Sequence, residues 1–183
     1  MTEEMEKIKT TKYFGEVELV PDHQGRGCAE VKATLNGQKV RLTMWDCEDI
    51  EGIERNLPYF WSVVDKYAEI KETANKAIVD YYDNDKEGTI NGNGNIKYFF
   101  SMVFNYANEE ELIEVFGVND FEQFDIKTYI DKIPYPNITI YFESEIKIFI
   151  NYELSDSEHW ENYCLVVKMD KDLNITGFLA VLD

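Results

Sequence analysis

The residues with the most specific chemical spacing are Asp83-Asn84-Asp85-Lys86-Glu87-Gly88-Thr89-Ile90-Asn91. A calcium loop of the EF-hand kind needs oxygen ligands at positions 1, 3 and 5, a glycine at 6 for the sharp turn and an apolar residue at 8. Asp83, Asp85 and Glu87 supply the oxygens, Gly88 and Ile90 fill the other two places, and a helical pattern runs into the loop. Position 12, which should bring two further oxygens from a Glu, is Gly94. The chain offers no second hand to pair with this one. A polar connector between helices has the same composition, so the plainer reading is a solvated loop. Calcium at Asp83, Asp85 and Glu87 is the one cofactor the residues suggest. A weaker echo at Asp170, Asp172 and Asn174 lacks the glycine and fits a hairpin turn.

Nucleophilic chemistry finds little support. The two histidines are His23 and His159, and the three cysteines are Cys28, Cys47 and Cys164. His159 and Cys164 lie five residues apart across a loop-to-strand step, which gives them no reason to face each other, and no third group orients either. A surface histidine and a core cysteine are the expected states. No Gly-x-Ser-x-Gly elbow, phosphate loop, dinucleotide fingerprint or His-Glu-x-x-His is present. Pairs of carboxylates can be drawn almost anywhere among 36 acidic residues, so their abundance points to no particular pair. The aromatic run Tyr98, Phe99, Phe100, Phe104 and Tyr106 reads as core. Trp160, in an acidic connector, and Tyr135, between two prolines, are the aromatics placed to anchor a partner.

Charge is the largest departure from average composition. The 36 acidic residues face 18 Lys and Arg, a formal charge of −18. Residues 1–45 balance at 7 against 7, while 46–95 carry 12 acids against 5 bases, 96–133 carry 8 against 3 and 134–183 carry 9 against 3. Such a field repels phosphate backbones and anionic bilayers and speeds encounter with a basic protein. Nucleic acid and membrane are therefore not expected as partners. The first nine residues are charged and lack the apolar run of a signal peptide, and no stretch approaches 18 apolar residues. A reducing, cytoplasmic location is the expectation.

The elements follow from the hydrophobic period. Residues 13–20, 28–35 and 38–45 alternate, and Asn36-Gly37 suits the positive φ values of a type I′ hairpin turn, which predicts a three-stranded antiparallel meander. Residues 47–82 repeat at helical spacing, opened by Asp46 or Asp49 and divided at Pro58. Residues 96–106 are open to helix or strand and incline to helix. Short helices are expected over 108–116 and 121–133, with Asn108 and Asp125 as caps and Gly117 between them. Residues 138–142, 146–152, 162–169 and 175–182 return to alternation as a four-stranded antiparallel meander. The expectation is one α+β domain over 1–183, strands grouped at both ends around a central helical block, with 1–12 as a disordered tail.

Taken in order, Tyr13-Phe14-Gly15-Glu16, the Asn36-Gly37 hairpin, Asn56-Leu57, Ala77-Ile78-Val79-Asp80-Tyr81-Tyr82, Leu112-Ile113-Glu114-Val115-Phe116-Gly117-Val118 and Leu165-Val166-Val167-Lys168-Met169-Asp170 carry a resemblance. The chain resembles a bacterial family of small acidic α+β domains of unknown function that stands beside the immunity proteins of polymorphic toxin systems. The resemblance implies a bacterial cytosolic α+β protein and brings no functional residue with it. Together with the charge, it sets the leading expectation of a non-catalytic, immunity-like domain binding a basic protein such as a toxin. A carboxylate-based or divalent-cation-dependent enzyme, or a weak calcium module, is the alternative.

Overall fold

The computed structural model describes residues 8–21, 29–45, 50–84, 95–130, 135–153 and 163–182. Eight strands form one sheet in simple sequential order. They are β1 (Ile8–Thr11), β2 (Gly15–Pro21), β3 (Ala29–Leu35), β4 (Gln38–Trp45), β5 (Asn137–Phe142), β6 (Ile146–Glu153), β7 (Tyr163–Asp170) and β8 (Ile175–Leu182). Neighbours are antiparallel except β4 and β5, which run parallel with Leu42 beside Ile138 and Trp45 beside Tyr141. The α+β class stands, but the two expected meanders are halves of one sheet. Alternation along each strand records which face is buried and says nothing of which strands pair across a 90-residue excursion. The N-terminal half also has four strands instead of three. Ile8–Thr11, within the segment read as a tail, pairs with Gly15–Glu18. It buries only Thr11, so it has no apolar rhythm to betray it.

The helical block lies between β4 and β5. It comprises α1 (Ile50–Asp65), α2 (Tyr67–Asp83), α3 (Ile96–Tyr106), α4 (Glu109–Phe116) and α5 (Ile126–Ile130), with a 3₁₀ turn at Phe121–Gln123. Pro58 does not divide it. The proline sits inside α1, exposed, while Ile53, Phe60, Val63 and Val64 bury one stripe against the core. Burying four large side chains, at about 1.5–3 kcal/mol each, outweighs the roughly 3 kcal/mol that an internal proline costs. The break falls at Lys66 instead, whose N–H is shared between the Ser62 and Val63 carbonyls at 3.2 and 3.1 Å. Residues 96–106 are helix, started by Asn95, whose Oδ1 accepts from the Tyr98 N–H at 2.6 Å.

All described helices serve one continuous core on one face of the sheet. Val40, Leu42 and Met44 of β4, Ile138 and Ile140 of β5, Ile148, Ile150 and Tyr152 of β6, Leu165, Val167 and Met169 of β7 and Phe178 of β8 supply the sheet side. The longest helix, α2, is tied across it. The Tyr67 hydroxyl donates to the Pro136 carbonyl at 2.8 Å, Tyr152 donates to Asn75 Oδ1 at 2.7 Å, and the Tyr81 ring meets Phe178 at 4.7 Å. The opposite sheet face follows from the same register. Trp45, Tyr141 and Lys147 share one row, and Thr43, Thr139, Phe149 and Lys168 the next.

Candidate functional site

Asp83 is exposed at the end of α2 and its Oδ2 takes Lys127 Nζ at 2.7 Å. Asp85, Glu87 and Gly94 lie outside the described residues, as do Trp160, His23, His159, Cys28 and Cys47. Among the described residues, no three His, Cys, Asp or Glu side chains gather closely enough to hold a metal ion. Tyr135 is half-buried and already engaged. Its hydroxyl accepts from Asn36 Nδ2 at 2.7 Å, its N–H donates to Gln38 Oε1 at 2.9 Å, and Lys71 Nζ stands 4.5 Å from its ring centre. It fastens the exit of the helical block to the β3–β4 turn.

Cys164 is half-buried on β7, and burial, with the Glu153 carboxylate adding to it, pushes its thiol up to about 12. It stays protonated at neutral pH, the state of an inert structural cysteine. The Asp170–Asn174 segment is a hairpin turn, as its spacing suggested. Asp170 Oδ1 accepts from the Asp172 and Asn174 N–H groups, both at 2.9 Å, and these backbone bonds, Asn174's first, hold the carboxyl below its usual range.

A cleft of about 680 Å³ runs along α2, with Glu72, Asp80 and Asp83 on its walls beside Lys71, Lys76 and Asn75. A general acid needs a carboxyl raised towards neutral pH. Glu72 is shifted the other way, accepting a hydrogen bond from Lys76 at 2.6 Å.

The most distinctive surface covers α3, α4 and the turn after them. Residues 108–126 hold seven carboxylates (Glu109, Glu110, Glu111, Glu114, Asp120, Glu122 and Asp125) and not one Lys or Arg. Four of the seven have structural duties. Glu111 closes a capping box with Asn108, Glu109 accepts from Asn119 at 2.8 Å, and Asp120 and Asp125 cap the short turns behind them. Hydrogen bonds from Thr128 and Lys127 hold the Asp125 carboxyl below its usual range. Glu110, Glu114 and Glu122 point to solvent, and none of the seven makes an ion pair with a described residue.

The same two helices also leave apolar groups exposed. Tyr98, Tyr106 and Ile113 are 53%, 68% and 53% exposed, three of the four large hydrophobic side chains left open among the described residues. The aromatic run of α3 is thus divided, contrary to its reading as core. Ile96, Phe99, Phe100 and Val103 point inward at helical spacing, which turns Tyr98 and Tyr106 outward. That periodicity was available in the sequence; the density of aromatics concealed it. Beneath the face lies a block of rings. Phe104 meets Phe116 at 4.9 Å, Phe116 meets Tyr129 at 4.6 Å and Phe100 meets Phe124 at 5.0 Å. The outward groups are therefore mounted on a close-packed support.

The face depends on the start of α4. Asn108 Oδ1 accepts from the Glu111 N–H at 3.0 Å and Glu111 returns a bond to the Asn108 N–H at 3.1 Å, while Gly117 ends the helix at φ +75°. Asn108→Ala is expected to cost about 1 kcal/mol, read as a lower urea midpoint at unchanged slope.

No family model, curated protein or solved structure matches this chain. No described helix is long and apolar enough to cross a membrane.

Proposed function

We propose that the chain is a non-catalytic protein-binding domain whose α3–α4 face docks a basic partner. The observation that carries this reading is the coincidence of Tyr98, Tyr106 and Ile113 with seven carboxylates unbalanced by any base within residues 108–126. Exposed aromatics on a rigid support are the usual anchors of an interface, and a rim of one charge sign selects the partner and accelerates encounter. Glu110, Glu114 and Glu122 are exposed and make no ion pair with a described residue, so a basic partner can meet them without breaking one. The chain's net charge adds a long-range attraction of the same sign. An immunity-like role, in which a small acidic cytosolic bacterial protein blocks a basic toxin, fits this chemistry and the family resemblance of the motifs.

The test is retention of basic proteins from the native host at low salt, comparing the natural chain with Glu110→Lys/Glu114→Lys and with Glu16→Lys/Glu18→Lys on β2. The α4 pair is expected to lose the retained partner, at a cost of tenfold or more in affinity, while the β2 pair keeps it. Tyr106→Ala is expected to weaken the same partner without changing its salt dependence. Equal retention by both charge-reversed proteins would place the interface elsewhere.

A further inference from the structure

The ladder between β2 and β3 is cut short. β2 pairs with β3 only through Leu19↔Val31, Val20↔Glu30 and Pro21↔Ala29, while its first half pairs with β1. The remainder of β3, from Lys32 to Leu35, has β4 on one side and no described strand on the other. A two-residue turn at Asn36-Gly37 closes on Leu35↔Gln38, so Leu35, Ala33 and Val31 exchange backbone bonds with β4. The N–H and C=O groups of Lys32 and Thr34 then face the open side. Arg41, directly opposite Lys32, confirms the alternation from the other strand, because its N–H turns away from β3 and donates to Asn137 Oδ1 at 2.9 Å.

This open edge borders a cleft of about 760 Å³, a volume typical of ligand sites. Its charge runs against that of the molecule. Lys32, Lys39 and Arg41 line it, three of only 18 basic residues in the chain, against the carboxylates of Glu16 and Glu153. Glu153 already accepts from Asn137 Nδ2 at 2.9 Å. Lys32 reaches Glu30 at 2.6 Å but is 61% exposed, and neither Lys39 nor Arg41 makes an ion pair with a described residue. The three cations and Thr34 share one face of the β3–β4 ribbon, in two rows, Lys32 beside Arg41 and Thr34 beside Lys39.

We propose that the cleft binds a short, extended, carboxylate-bearing peptide that adds to the open edge of β3. Its main chain pairs with Lys32 and Thr34. Acidic side chains two residues apart, about 7 Å along the strand, meet the Lys32–Arg41 row and the Lys39 row. The backbone edge selects a peptide over a lone anion. The field of the whole chain turns away long polyanions, whereas a short segment meets mainly the local cations. This site is separate from the α3–α4 face and opposite to it in sign, and it stands or falls independently of that reading.

The probe is a fluorescein-labelled, acetylated Thr-Glu-Val-Glu-Val-Thr amide followed by anisotropy, with three competitors: the same peptide with Gln for both Glu, an N-methylated version that cannot pair with a strand edge, and inorganic phosphate. Saturable binding is expected, weakened about tenfold or more by either peptide change and by Arg41→Glu or Lys39→Glu, and unmoved by Glu110→Lys/Glu114→Lys. Both cation variants alter exposed side chains, and unchanged melting temperatures show them folded. No binding at millimolar protein overturns the proposal, as does equal binding of the Gln peptide. Full displacement by phosphate with the N-methylated peptide bound as well as its parent reduces the cleft to an anion site and overturns it too.

Discussion

Phe100→Ala is expected to destabilise the chain by about 3–5 kcal/mol, the range for truncating a buried phenylalanine, and to lower its melting temperature by roughly 10 °C. Phe100 is fully buried, and the rings of Tyr82, Phe99, Phe116, Phe124 and Tyr129 stand around it with centroids 5.0–6.3 Å away. These rings come from α2, α3, α4, α5 and the two-residue link between the 3₁₀ turn and α5, so removing the central one opens a cavity that no single element can close. Tyr98→Ala, two residues earlier on the same helix and 53% exposed, is the control and is expected to fall within about 0.5 kcal/mol of the natural protein. Urea unfolding followed by circular dichroism separates the two. A midpoint for Phe100→Ala close to that of Tyr98→Ala would mean the ring block does not hold the helices together. The same substitution should loosen the packing of α3 on α4, because Phe116 and Phe124, which also pack on Phe104, lose a neighbour.

Local signals in the sequence carried the elements. Alternation placed seven of the eight strands, Asn36-Gly37 fixed the β3–β4 register, and Asn108 and Asp125 marked helix starts that the structure shows bonded as caps. What the sequence concealed is non-local. The parallel joint between β4 and β5 depends on how the helical block returns the chain, and no residue near Trp45 or Asn137 encodes that. Pro58 misleads because its cost is local while the stripe around it is repaid by the sheet. The candidate surfaces follow the same rule. Tyr98 and Tyr106 become visible once the phase of α3 is known, and Lys39 and Arg41 matter only because β2 leaves β3 early. Of the residues first singled out, Asp83 is paired with Lys127 and Tyr135 serves as a tie between elements.

Alkaline conditions are expected to unfold the chain between about pH 10 and 12, through buried hydroxyls and one thiol. Burial raises the ionisation of Tyr67, Tyr129 and Tyr152 well above the ordinary value of 10.0, and that of Cys164 from 9.0 to about 12. Each group keeps its proton in the native chain longer than in the unfolded chain. Their contribution is complete below pH 9. From there the unfolded chain sheds first the Cys164 proton and then the tyrosine protons, and stability falls by up to about 1.4 kcal/mol per pH unit for each group until the native pKa is passed. Against a total of about 5–15 kcal/mol, four such groups suffice to reach the transition. Tyr67→Phe provides the internal check. It forfeits the hydrogen bond to the Pro136 carbonyl, so at pH 7 it should be less stable by about 1–3 kcal/mol. Above pH 10 it has one proton fewer to lose, so its urea midpoint should fall less steeply and approach that of the natural chain. Parallel lines from pH 8 to 11 would show that the Tyr67 hydroxyl ionises as readily in the native chain as in the unfolded one, and that burial under Pro136 has no hold on it.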